Sequence, residues 1–209
     1  IRGDILLPSV VYRLVEEDPA IGYIQLSRFS GESGNEVGAA IQDLQLQGAT
    51  RFILDLRQNG GGLRDAAVEV ADHFLDEGPV LYLQSQKEGE RVFNSTSDTL
   101  APTEPLVVLI DGGTASASEI VAGALQDRGR ATLIGSKTFG KGSVQLVFDL
   151  SDGSSVHVTS ARWLTPNRTQ IDQSGLGPDV PVEITQDDVD NGRDPALAEA
   201  ISYLQENFK

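Results

Sequence analysis

Apolar residues follow two kinds of pattern along this chain. Short runs with little polar alternation occupy 22–26, 52–56 and 106–110, and such runs are typical of strands buried on both faces. Between these runs, apolar residues recur at every third or fourth position in 37–44 and 63–75, which predicts helices with one buried face. Strands that alternate with helices indicate an α/β fold with a mostly parallel central sheet flanked by helices.

Shorter patterns complete the predicted architecture. Apolar runs predict further strands at 79–83, 131–134, 144–150 and 155–163. The last two runs flank a Ser-Asp-Gly turn and therefore predict a hairpin, while the polar stretch 87–105 is predicted to be a second hairpin or a surface loop. Asp194, followed by proline, favours the start of a final helix that runs to about residue 207.

Composition limits the classes of partner. Sixteen basic residues stand against 31 acidic ones, and the formal net charge of −15 argues against nucleic acid and anionic membranes as partners. The absence of cysteine excludes disulfides and thiol catalysis. Methionine is also absent, even at position 1, so we expect a processed or trimmed piece whose signal or anchor segment lies outside the sequence.

The first candidate for chemistry is the turn that follows the buried run 106–110. Gly112 and Gly113 break the strand, and a helix of small residues begins directly afterwards. Ser116 therefore lies where a strand turns into a helix, near unpaired backbone N–H groups and the positive end of the helix dipole. This position suits a nucleophile, and it equally suits a helix N-cap.

A serine nucleophile requires a base, and the chain has two histidines. His73 is predicted to face solvent, away from the apolar stripe of its helix, and His157 to be a paired or solvent-facing strand residue, so a Ser-His-Asp triad is disfavoured. Lys141, between two glycines, is the alternative base, because a lysine can act when its surroundings disfavour the ammonium form. Extended backbone would place Gln145 on the same face, where it could accept a hydrogen bond from Lys141. A surface lysine in a Gly-rich turn is the other interpretation.

Four motifs in order resemble those of the carboxy-terminal processing protease, or tail-specific protease, family of Ser-Lys serine peptidases, peptidase family S41. They are DLRQNGGG at 55–62, GTASASEI at 113–120, TFGKGSVQ at 138–145 and GLGPD at 175–179. The resemblance implies that the nucleophile is the first serine of the second motif and that the base follows 25 positions later. Since 141 − 116 = 25, it selects Ser116 and Lys141.

The same resemblance implies the rest of the machinery and the fold. Gln145 would support Lys141, and the oxyanion hole would consist of the N–H groups of Ala117 and of Gly61 or Gly62. The fold would be a crotonase/ClpP-like core, with an N-terminal extended segment at 1–20, the catalytic core at 21–185 and a C-terminal helix at 186–209. No metal or cofactor is implied.

The function implied is that of a serine endopeptidase, which processes C-termini or degrades unfolded or tagged proteins through an acyl-enzyme. The resemblance implies extended polypeptide substrates, bound near their C-termini, and work outside the cytoplasm, in a bacterial periplasm or envelope or a plastid lumen. The resemblance also implies a PDZ domain near the amino-terminal side of the core, and since the sequence leaves no room for one before Gly22, we expect it upstream in the full-length protein. The alternative is a catalytically silent protein of the same fold, which binds an apolar ligand or serves as a protein scaffold.

Overall fold

A computed structural model describes residues 8–97 and 99–208, apart from the side chains of 146, 147 and 157. In chain order the elements are β1 (Val10–Val15), β2 (Asp18–Leu26), α1 (Ser33–Leu46), β3 (Arg51–Asp55), α2 (Arg64–Asp72), β4 (Gly78–Ser85), β5 (Gly89–Ser95), β6 (Leu106–Ile110), α3 (Ala117–Asp127), β7 (Thr132–Gly135), β8 (Ser143–Asp149), β9 (Ser155–Leu164), β10 (Val180–Pro181), α4 (Gln186–Asp190) and α5 (Pro195–Asn207). None of the helices in these ranges is long and apolar enough to cross a membrane.

Within the described residues the central sheet has six strands, in the order β1-β2-β3-β6-β7-β10. Only the β1–β2 pair is antiparallel, so the predicted α/β fold with a mostly parallel sheet is confirmed. Both faces of the sheet are covered, which explains the continuous apolar runs. Phe52 and Leu54 pack into a core with α1, α2 and α3, whereas Ile53 between them faces a second core with α5.

A second sheet is antiparallel and has four strands in the order β5-β4-β9-β8. The polar stretch predicted as a hairpin or loop supplies β5, which pairs with β4, and the predicted hairpin at 144–163 supplies β8 and β9. Pairing of β4 with β9 joins the two hairpins. Trp163 of β9 is buried in the core that α1, α2 and α3 cover, and β8 forms one edge of this sheet.

The segments near both ends of the described chain pair with the central sheet or pack on it. Residues 1–7 of the predicted N-terminal segment lie outside the described residues, but β1 pairs with β2, which begins at Asp18. Within the predicted surface stretch 165–185, β10 pairs in parallel with β7 and closes the other edge. The final helix begins where Asp194 predicted, and the Asp194 side chain accepts a hydrogen bond from the N–H of Leu197 at 3.0 Å.

Arg57 connects this final helix to the end of β3. Its guanidinium donates to Asp194 through two bonds of 2.8 Å and to the fully buried Asp55 at 2.6 Å, while the Tyr23 hydroxyl also donates to Asp55 at 2.7 Å. Burial alone raises the pKa of Asp194, but the bonds from Arg57 and from the N–H of Leu197 outweigh it and hold that pKa below its ordinary value. The cluster fixes the strand end from which the glycine-rich loop departs.

Replacing Asp194 with asparagine is expected to lower the free energy of unfolding by about 1 kcal/mol near neutral pH, since the cap survives but the charge pair with Arg57 is lost. The side chain of Asp194 is 38% exposed, so solvent screens the pair. Because the folded-state pKa is depressed, the contribution is present above the unfolded value of about 3.9 and is lost as the pH falls through the folded value. Urea unfolding at about pH 7 and pH 3 measures this difference. Glu199→Gln on the exposed side of the same helix is the matched control, and an equal effect of both substitutions at neutral pH would contradict the prediction.

Candidate active site

Ser116 occupies a strained backbone position directly before α3. Its φ of 57° and ψ of −116° lie outside the regions that ordinary residues favour, at a cost of about 1–3 kcal/mol. The turn that leads into it is fixed by Thr114, whose hydroxyl donates to the carbonyl of Leu56 at 2.9 Å. Ser116 lies at the N-cap position of α3, as one interpretation predicted. Its backbone conformation, however, is one that a capping role does not require.

The glycine-rich loop after β3 packs directly on this turn. A Cβ atom on Gly61 would lie 2.7 Å from the carbonyl oxygen of Ala115 and 2.8 Å from the nitrogen of Ala117, and one on Gly62 would lie 2.1 Å from the carbonyl oxygen of Phe29. Both glycines also have positive φ values, 98° and 149°. Only glycine fits either position without a shift of backbone.

The backbone N–H groups of Gly60, Gly62 and Ala117 have no hydrogen-bond acceptor among the described residues, and of these three residues Gly62 and Ala117 line one cavity with Ser116. The N–H of Gly61 is occupied, because it donates to the Asn59 side chain at 2.9 Å. Asn59 is fully buried, and its amide donates in turn to the carbonyl of Leu26 at 2.7 Å. The loop therefore presents the N–H of Gly62, and not that of Gly61, as a free donor beside the turn.

Replacing Gly61 with alanine is expected to lower the free energy of unfolding by about 2 kcal/mol, because the new methyl group would meet backbone atoms at an unfavourable φ. Urea unfolding measures the change. Gly60→Ala is the matched control, since a Cβ atom there has no neighbour within 4 Å. Equal destabilisation by the two substitutions would show that the close packing of Gly61 is not the cause.

Glu119, one turn into α3, connects the serine turn to the lysine segment. Its side chain is 0% exposed and accepts four hydrogen bonds. One oxygen accepts from the Thr138 hydroxyl at 2.6 Å and the N–H of Gly140 at 2.7 Å, and the other accepts from the N–H groups of Ser116 at 2.8 Å and Lys141 at 2.9 Å. One buried carboxylate thus fixes the backbone of both predicted dyad residues.

Lys141 lies just before β8, and its side chain is exposed, as is that of Gln145. The predicted hydrogen bond between them is not formed, and neither side chain bonds to any other described residue. The exposed position agrees with the interpretation of Lys141 as a surface residue. The structure nevertheless brings Lys141 and Gln145 to the same cavity as Ser116, Ala117 and Gly62, and the pairing of Ser116 with Lys141 stays a prediction.

That cavity has a volume of about 400 Å³ and an apolar wall, formed by Leu81, Leu83, Ile120, Val144 and Trp163. Lys141 and Gln145 also line a second cavity of about 830 Å³, which Phe139, Asp172 and Arg162 border. Ser116 therefore opens onto a space with an apolar wall, while Lys141 lines both that space and one bordered by the charged side chains of Arg162 and Asp172. We refer to them below as the apolar cavity and the polar cavity.

The remaining candidate side chains have structural roles or lie outside the described residues. His73 is not the solvated residue that its helical position predicted, because it is half-buried and its Nε2 lies 2.8 Å from the carbonyl oxygen of Gly34. The side chain of His157 lies outside the described residues. Ser118 is fully buried and its hydroxyl donates to the carbonyl of Asn59 at 2.8 Å, so it supports the glycine-rich loop.

The sequence and the structure of this chain are similar to those of known proteins. The family model described as peptidase family S41 matches residues 20–182. A carboxyl-terminal-processing protease of Synechocystis sp. is 45% identical over 87% of this chain and 43% of its own length. The chloroplastic carboxyl-terminal-processing peptidase 2 of Arabidopsis thaliana is 44% identical over 78% and 32%, respectively. The solved photosystem II D1 C-terminal processing protease is similar with a TM-score of 0.75 and 36% identity, over 87% of this chain and 50% of that one. The chain thus spans half or less of the length of these relatives.

Proposed function

The chain belongs to peptidase family S41, and we propose that it is a serine endopeptidase that cleaves polypeptides through an acyl-enzyme. The observation that carries the proposal is the strained Ser116 at a cavity that Lys141 and two residues with free N–H groups, Gly62 and Ala117, also line. Backbone N–H groups beside a nucleophile stabilise the negative charge that develops on a carbonyl oxygen under attack. No role as an N-cap alone requires such a set of free donors.

In the proposed reaction, Lys141 in its neutral form removes the proton of the Ser116 hydroxyl as the oxygen attacks the scissile carbonyl carbon. The tetrahedral oxyanion accepts hydrogen bonds from the N–H groups of Ala117 and Gly62. The C–N bond breaks as Lys141 returns the proton to the leaving amine, and water then hydrolyses the acyl-enzyme with Lys141 as base. Substrate that covers the exposed Lys141 would remove it from water and favour its neutral form, and Gln145 would orient it.

The substrate is proposed to bind as an extended strand. β8 is an edge strand with unpaired backbone groups, and it leads directly from Lys141, so a polypeptide added beside it would pass the nucleophile. The apolar cavity at Ser116 suits an apolar side chain on the acyl side of the cleaved bond. We further propose binding near substrate C-termini, a PDZ domain in the full-length protein and work outside the cytoplasm, as the family relationship suggests.

Labelling and cleavage measured in parallel test the proposal. A tagged fluorophosphonate, which reacts with activated serines, is expected to modify Ser116 and not Ser118, as peptide mass spectrometry would show. Casein cleavage is expected to continue in the presence of a metal chelator, with cuts after apolar residues. Failure to react at Ser116, together with retention of an apolar dye in the apolar cavity, would instead identify a catalytically silent binding protein.

A further inference from the structure

Arg162 is unusual among the arginines that the structure describes. Its side chain alone makes no hydrogen bond, ion pair or aromatic ring contact with a described residue, although it is exposed and the chain carries a net charge of −15. Six of the others are in ion pairs, Arg130 bonds to carbonyl groups, and Arg13 and Arg91 lie over aromatic rings. Arg28 also has a partner. Because the chain has more carboxylates than basic groups, an arginine side chain without a partner is unusual in it.

The strand pairing determines where this side chain points. Arg162 lies in β9, opposite Ser143 of β8 and Gln84 of β4. Its neighbours along the strand, Ala161 and Trp163, are buried. Successive residues of a strand point to opposite faces, so the side chain of Arg162 points away from the core and to the same side as Ser143.

Arg162 stands between two adjoining cavities. It lines the polar cavity together with Lys141 and Gln145. It also lines a third cavity of about 570 Å³, whose other lining residues are all uncharged, among them Gln84, Gln86 and Ser160. Arg162 therefore supplies the only charge among the described residues that line this third cavity, where amide and hydroxyl groups surround it. A carboxylate fits such a site, because guanidinium binds it through two parallel hydrogen bonds.

The proposed reaction indicates which side of the cleaved bond lies near Arg162. The apolar cavity lies at Ser116 and would hold the acyl side. Lys141 must return a proton to the leaving amine, so the leaving segment passes Lys141 and enters the polar cavity. We propose that Arg162 binds a carboxylate of the leaving segment, which is either the C-terminal carboxylate of the polypeptide or an Asp or Glu side chain. This inference rests on the proposed function for the direction of the substrate.

Binding to the chain with Ser116→Ala tests the inference without cleavage. Three fluorescent peptides contain a single leucine and differ only in the charge beyond it. The first ends in a free carboxylate, the second has the same sequence and ends in an amide, and the third ends in an amide but has an aspartate at one internal position. Fluorescence anisotropy gives Kd for each. At least one carboxylate peptide is expected to bind about tenfold more tightly than the neutral amide, and which one does so identifies the source of the carboxylate.

Substitutions of Arg162 then test whether its side chain causes the preference for carboxylate peptides. Adding Arg162→Gln is expected to remove the tenfold preference and leave binding of the neutral amide unchanged, while Arg162→Lys retains part of it. Arg91→Gln is the matched control for net charge, because Arg91 is exposed, lies over Phe93 and lines none of the three cavities. Equal binding of all three peptides, no measurable binding, or a preference that survives Arg162→Gln would overturn the inference. Failure of Ser116 labelling in the unaltered chain would instead count against the proposed function, so the two results are distinguishable.

Discussion

Replacing Ser116 or Lys141 with alanine is expected to lower kcat for peptide cleavage by about 10⁴-fold or more, with little change in KM. Each residue performs a step that the other cannot perform alone, since the hydroxyl forms the acyl bond and the amine moves its proton. The double substitution should therefore be no worse than either single one, because residues that act as a unit lose their joint contribution at the first change. Steady-state kinetics on a quenched fluorescent peptide with an apolar residue before the cleaved bond measures all three variants.

Two further substitutions separate this effect from a loss of structure. Lys137→Ala removes another exposed lysine from the same segment and should leave kcat unchanged. Ser116→Gly should abolish cleavage and yet raise the free energy of unfolding by about 1 kcal/mol, because glycine tolerates the φ of 57° that serine adopts under strain. Retention of activity by Lys141→Ala would exclude the dyad, even if Ser116 proved essential.

The position of Ser116 could be predicted from the sequence because the signals that determine it are local. A buried apolar run, a Gly-rich break and a helix of small residues are local signals, and they place Ser116 at a strand-to-helix turn. The choice of Ser116 over Ser118 required the family motif. Burial supplies a physical reason, because Ser118 is fully buried with its hydroxyl bonded to the glycine-rich loop.

Other features depend on contacts between distant segments, which local patterns do not contain. The pairing of β4 with β9 joins two hairpins that each could be predicted alone, and it creates the sheet whose edge is β8. The family motif left open whether the N–H of Gly61 or that of Gly62 donates to the oxyanion. Only the bond from Gly61 to Asn59 shows which N–H is free. Long-range hydrogen bonds, and not propensities, decide these details.

Glu119 is the clearest case of a residue whose importance the sequence did not reveal. It lies between Ser116 and Lys141 in the chain and resembles an ordinary acidic residue in the first turn of a helix, a position that the dipole favours. Its four hydrogen bonds join the turn that carries the nucleophile to the segment that carries the base. We therefore treat it as a positioning residue for both.

Glu119→Gln is expected to lower kcat by about 10²-fold and the free energy of unfolding by about 3 kcal/mol. The amide has one oxygen for four donors, so its NH₂ group would face two of the buried donors that the carboxylate now accepts. KM should change little, because the residue contacts no part of the substrate path directly. Peptide kinetics and urea unfolding measure both quantities on one preparation.

Glu36→Gln is the matched control for this substitution. Glu36 also lies in the first turn of a helix and accepts bonds from the backbone and side chain of Ser9, far along the chain from the dyad. Its replacement should destabilise the fold and leave kcat of the folded enzyme unaltered. If Glu119→Gln behaved in the same way, with normal kcat in the folded fraction, Glu119 would be a purely structural residue. A loss of kcat confined to Glu119→Gln, with fluorophosphonate labelling of Ser116 slowed in proportion, would instead show that its carboxylate holds nucleophile and base in the reactive arrangement.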